Sequence, residues 1–185
     1  MRSSSLSALV ILCVSSFGAA ETEAERKALK EAEAEVAAEV AARPSLGVTA
    51  EQAVIKANAT AKARKIDFRF EKHKEAEDSV QYTHGDPENL VLQFVGPKGE
   101  KPFGAMLIAR GDGTAKSGTN IVTAMLLTIR GVDPGITQEK ANEIALRLVN
   151  EASKGGNPKA DGVACRFSAT MSPQIGFIFS VDPLE

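Results

Sequence analysis

The chain has 185 residues, with 22 Lys and Arg against 24 Asp and Glu, and two cysteines. A charge balance this even excludes the basic footprint of a nucleic-acid-binding domain. The length allows one domain with an ordinary hydrophobic core, needing no disulfide staples.

Met1 and Arg2 are followed by an apolar run over residues 6–17 and by the small residues Gly18, Ala19 and Ala20. That is the order of a secretory signal peptide. The run is about a dozen residues, short of the ~20 that cross a bilayer as a helix. Cleavage after Ala20 is expected, giving an exported protein, periplasmic or extracellular, with no integral membrane segment after cleavage. Leu12 directly before Cys13 breaks the small-residue pattern of a lipid-anchoring site. Loss of the leader removes Cys13 and leaves Cys165 without an internal partner, so stability must come from packing.

Residues 21–43 form a second, distinct segment. Seven glutamates face Arg26, Lys27, Lys30 and Arg43, and alanine supplies most of the remainder. Both Ala and Glu favour helix, and Pro44 stops it. Leu29, Val36 and Val40 make only a thin apolar stripe, too brief for a sustained coiled coil. The segment reads as an acidic helical tether ahead of a single domain over residues 44–185.

In that domain Thr49 and Gln52 have the spacing of a capping box, opening a helix that runs to about Arg64. Ile66, Phe68 and Phe70 then alternate with Asp67, Arg69 and Glu71, which predicts a half-buried strand. Further strands are expected over residues 80–84, 90–95 and 105–110, joined by the turn-rich stretches GDPEN and GPKGEKP. Short polar connections favour antiparallel pairing. Residues 120–130 are apolar almost all round, as in a helix buried on most of its surface. After GVDPGI, Thr137 is placed to cap a second helix, with Ala141, Ile144, Ala145, Leu148, Val149 and Ala152 on one face. Two more alternating rows follow, Val163, Cys165, Phe167 and Ala169, then Ile175, Phe177, Phe179 and Val181. The expected fold is α+β, a mostly antiparallel sheet of five to six strands with two to three helices packed on one face.

Chemical motifs are sparse. ARGDGTAKSGTN, residues 109–120, sits between a strand and a helix as a phosphate loop does, but Ala115 stands where the second glycine of that motif belongs. An antiparallel sheet is also the wrong setting for a nucleotide loop. What remains is a candidate anion site of Arg110, Lys116, Ser117 and Thr119 before a helix. The Arg110, Gly111, Asp112 tripeptide is too short to carry a claim. Asn58, Ala59 and Thr60 match an N-glycosylation pattern placed inside a helix. Cys165 could be a nucleophile only with His73 or His84 as base; its place in an apolar row predicts an inert buried thiol. His84 and Asp86 lack paired metal-ligand spacing. The basic residues over 62–74 are interleaved with Asp67 and Glu71, the pattern of a solvated mixed face.

Carboxylates are plentiful, yet no flanking signature singles out an acid and base pair, and no G-x-S-x-G, H-E-x-x-H or C-x-x-C appears. No cofactor or metal is expected. Binding therefore ranks above catalysis. The leading expectation is an exported non-catalytic binding or interaction protein, taking a protein or a small anionic ligand through the open sheet face or the basic strand region. The alternative is a small-ligand carrier whose pocket between helix and sheet is lined by Met125, Leu127 and Phe177. A small hydrolase built on Cys165 or His84 comes third.

Overall fold

The computed structural model describes residues 23–184, and contacts divide the chain into a unit ending at Ala42 and a unit beginning at Arg43. The expected leader over residues 1–20 lies outside the described residues, as do the side chains of Leu29, Val36 and Val40. The first unit is one helix, α1 (Glu23–Ala42). Its Lys27 and Glu31 pair across one turn at 3.8 Å, an exposed contact that contributes little.

The second unit runs α2 (Ala50–Ala63), β1 (Glu71–Glu75), β2 (Ser79–Thr83), β3 (Leu90–Val95), β4 (Gly104–Ala109), α3 (Ala115–Val132), α4 (Gln138–Ala152), β5 (Lys159–Asp161), β6 (Cys165–Ser172) and β7 (Gly176–Pro183). The strands form one antiparallel sheet in the order β1-β2-β3-β4-β7-β6-β5. This is the α+β architecture that the periodicity predicts, with a sheet of seven strands in place of five or six.

The extra width comes from β1 and β5, neither of which has apolar alternation. Every residue of β1 is exposed and its register slips between Lys72 and Lys74. Charges and a bulge are the means by which an edge strand avoids pairing with another chain. The predicted strand over residues 66–70 is a correction in the other direction: it lies outside the sheet, and the Phe68 N–H turns back to the Ile66 carbonyl at 2.9 Å. Its Phe68 and Phe70 are buried as the alternation requires. Its backbone is satisfied elsewhere: Asn58 Oδ1 accepts from the Phe70 N–H at 2.8 Å while Asn58 Nδ2 donates to the Phe70 carbonyl at 2.9 Å. Alternation reports burial, whereas strand pairing depends on where the backbone donors go.

The helix starts follow their caps. The Thr49 hydroxyl accepts from the Gln52 N–H and the Gln52 side chain accepts from the Thr49 N–H, so both halves of the capping box are made. Thr137 caps α4 in the same way through the Lys140 N–H. Helix α3 begins five residues earlier than its apolar pattern, because the Thr114 hydroxyl accepts from the Ser117 N–H and outweighs the poor propensity of Gly118.

Cross-strand register defines the core. Tyr82, Leu92, Leu107, Phe179 and Ala169 form one inner row, and Val80, Phe94, Ala105, Val181 and Phe167 the next. Helices α3 and α4 cover the β4, β7 and β6 part of these rows with Met125, Leu127, Ile129, Ile144 and Leu148, all buried. Helix α2 contributes Ala50, Ala53, Val54, Ala57 and Ala61. It crosses α3 at Gly131, where a Cβ would stand 2.5 Å from the Ala53 carbonyl oxygen. Buried Asp133 closes α3, and its Oδ2 accepts from the N–H groups of Val163 and Ala164 at 2.7 and 3.1 Å. That turn leaves Val163 65% exposed, outside the inner row in which alternation had placed it, and Ile175 is exposed at 42% for the same reason at the β6–β7 hairpin.

Candidate functional site

The loop before α3 spends its polar groups on itself. Asp112 Oδ1 accepts from the Thr114 N–H at 2.9 Å and from the Thr114 hydroxyl at 2.7 Å, and the Asp112 N–H donates to Ser117 Oγ at 3.3 Å. These bonds, the Thr114 hydroxyl first, lower the Asp112 pKa. Arg110, Lys116 and Ser117 do line one hollow of about 240 Å³, together with His84, Asn89 and Asn120. Thr119 is not part of its lining and donates to the Ala115 carbonyl. Asp112 also lines the hollow, so a carboxylate of the chain already faces the positive end of the helix.

Cys165 is fully buried on β6, its thiol donating weakly to the Val132 carbonyl at 3.8 Å. Burial, assisted by the charges of Asp133 and Asp182, pushes its pKa from an ordinary 9.0 up to about 12. The two histidines lie on the far side of the sheet. His84 follows β2, and β3, β4 and β7 intervene before β6, a gap of about 19 Å at ordinary strand spacing. Its ring stacks on Phe68 at 3.9 Å, and Nδ1 sits 3.3 Å from the Arg69 N–H. His73 is exposed on β1, one strand further out. Among the described residues no cluster of three His, Cys, Asp or Glu could hold a metal ion, and no helix is long and apolar enough to cross a membrane.

Asn58 is committed to its two bonds with Phe70 and half-buried, so the glycosylation pattern falls on a structural clamp. Met125 and Phe177 belong to the packed core, and Leu127 borders only a recess of about 40 Å³. The carrier pocket expected around them is occupied by their own packing.

A second hollow is a cleft of about 340 Å³ beneath the first turns of α2. Its apolar floor is Val54, Val80, Tyr82 and Phe94, with Tyr82 and Phe94 edge to face at 6.1 Å. The far wall is the β3–β4 loop, which folds over the β1–β2 tip: the Gly96 N–H donates to the Asp78 carbonyl and the Lys98 N–H to the Glu77 carbonyl, at 2.8 and 2.9 Å. Glycine is needed at 96, since a Cβ there would lie 2.7 Å from Pro102 Cα. At the rim Lys72 Nζ and Lys98 Nζ reach the same oxygen, Glu75 Oε2, at 2.9 and 3.3 Å. The hydrogen bond from Lys72 holds the Glu75 carboxyl below its ordinary pKa, and Glu75 in turn raises that of Lys72. Burial raises the Tyr82 phenol above its ordinary value, which keeps it protonated at neutral pH. Tyr82 is 7% exposed as a whole residue.

The chain matches no protein-family model, no curated protein and no solved structure. The cleft has to be read from its own chemistry.

Sequence reading missed it for a physical reason. The residues that make it stand at 49–55, 72–82 and 94–102, and each looks ordinary in its own segment. The available signal was the alanine-rich face of α2, which predicts thin cover over whatever aromatic side chains lie beneath.

Proposed function

We propose that this is an exported, non-catalytic binding protein whose site is the cleft under α2, and that its ligand is a small molecule with an apolar body and a polar end. The observation that carries the reading is the contrast between a filled core and an open volume of about 340 Å³ with an apolar floor and a charged rim. That size is within the range of small-molecule sites, which are largely apolar with a few placed polar groups. Export rests on the order of residues 1–20. Two features speak for binding over turnover: the one core thiol is held protonated, and the rim carboxylate Glu75 is committed to two lysines.

The test is titration with an environment-sensitive amphiphile, followed by fluorescence and by amide shifts. One molecule per chain is expected, with shifts clustered on Val54, Val80, Tyr82 and residues 96–100. A Val80→Trp variant that fills the floor should abolish binding while its melting temperature stays near that of the parent. Binding that survives this change would place the ligand elsewhere.

A second reading, a protein-interaction surface, is favoured by the sheet face opposite the helices. Val91, Ile108, Ile178 and Thr170 form one uncharged, partly exposed row there across four strands. Ile178→Lys would then abolish partner capture without touching the cleft, and unaltered capture would remove this reading.

A further inference from the structure

We infer that the ligand of the cleft is a monocarboxylic acid, its acid group taking the place now held by Glu75 Oε2 between Lys72 and Lys98. This rests on the cleft being the binding site and goes beyond it by naming the head group.

The geometry is that of a recognition site already filled by a group of the chain. Two ammonium groups from separate elements, the edge strand β1 and the β3–β4 loop, converge on a single carboxylate oxygen at 2.9 and 3.3 Å. One carboxylate oxygen thus lies within ion-pair distance of both lysines. Tyr82, a lining residue of the same cleft, adds a phenolic O–H donor. Two ammoniums and a phenolic O–H are three donors for the two oxygens of one carboxylate. Glu75 is the last residue of an edge strand, and its side chain is partly exposed, so it can turn into water when a ligand enters.

Charge counting narrows the class. The lining includes Glu51, Glu75 and Glu100 against Lys72 and Lys98, a net of −1. With Glu75 turned out, two carboxylates and two ammoniums remain, and a ligand monocarboxylate restores the present −1 whereas a dianion would take it to −2. A phosphate dianion would leave an uncompensated charge beside Glu51, whose carboxylate acts on both Lys72 and Tyr82. The apolar body then lies along Val54, Val80 and Phe94, with half-exposed Ile55 at the mouth.

The experiment uses the full chain and three probes with the same ten-carbon tail: decanoate, decyltrimethylammonium and decyl maltoside, titrated by calorimetry at neutral pH. Decanoate is expected to bind about tenfold more tightly than either other probe, the worth of one good charge-assisted contact. Lys72→Gln with Lys98→Gln should remove that preference and leave the maltoside unchanged. Glu75→Gln carries the sharpest sign: removing the internal competitor should raise decanoate affinity several-fold, whereas a purely structural Glu75 would lower it or leave it alone. If the three probes bind alike, or the cation binds best, the acid preference is wrong while the cleft reading stands. If none binds, the cleft reading falls and takes this inference with it.

Discussion

The part of the sheet under α3 and α4 and the corner under α2 share the same inner rows of side chains, and they are closed in different ways. Under α3 and α4, buried aliphatic residues of the size of Leu, Ile and Met meet Phe167 and Phe179, whose rings stack at 5.9 Å. Over β2 and β3, α2 offers alanines and one valine. Alanine lets α2 approach α3 closely but brings little volume, and a cleft lined in part by Tyr82 and Phe94 lies beside it. A polar tie also holds α2 here, the Asn58 clamp on Phe70. The lesson is that a site can arise from undersized side chains on one helix, with no loop inserted to build it.

Four measurements would break or sharpen that contrast. The largest effect is expected in the filled part, where Phe179→Ala should lower unfolding free energy by about 4 kcal/mol in a urea titration; a loss below 1 kcal/mol would mean that this part is not tightly packed. Next, Asn58→Ala removes both bonds to Phe70 and should cost about 2 kcal/mol. In a eukaryotic secretory host Asn58 should also stay unmodified, as intact mass would report.

The third is a pH effect confined to the filled part. Because the folded thiol of Cys165 is raised to about 12 from 9.0, the folded state holds its proton more tightly than the unfolded chain. The contribution is fully present below pH 9 and is lost as pH rises from about 9 toward 12. In that window the parent should lose about 1.4 kcal/mol per pH unit relative to Cys165→Ala. Parallel stability curves for the two proteins would show that the thiol is not desolvated. The smallest effect belongs to the open corner: Val80→Ala, on the floor of the cleft, should cost less than about 1 kcal/mol, and a larger loss would mean that the cleft is closed in solution.

Much of the architecture could be read from local signals. The capping box at Thr49, the cap at Thr137 and the apolar face of α4 are complete within a few residues each, and the structure uses all three. The strand over 66–70 misled because Phe68 and Phe70 are buried as in a strand while Asn58, twelve residues from Phe70, takes its backbone groups. The anion loop was legible as composition, and Arg110, Lys116 and Ser117 do line one hollow; the Asp112 carboxylate at the helix mouth changes what that composition means. Strands β1 and β5 carried no pattern at all, since an exposed edge needs none.

By itself the amino-acid order determined the α+β class, the antiparallel pairing, the helix caps and the inward rows, because each depends on neighbours within a turn or a pleat. The cleft, the convergence of Lys72 and Lys98 on Glu75 and the distance between Cys165 and either histidine were decided only by tertiary structure. These join positions tens of residues apart, and whether two such side chains meet is set by sheet order and by how much volume a covering helix brings.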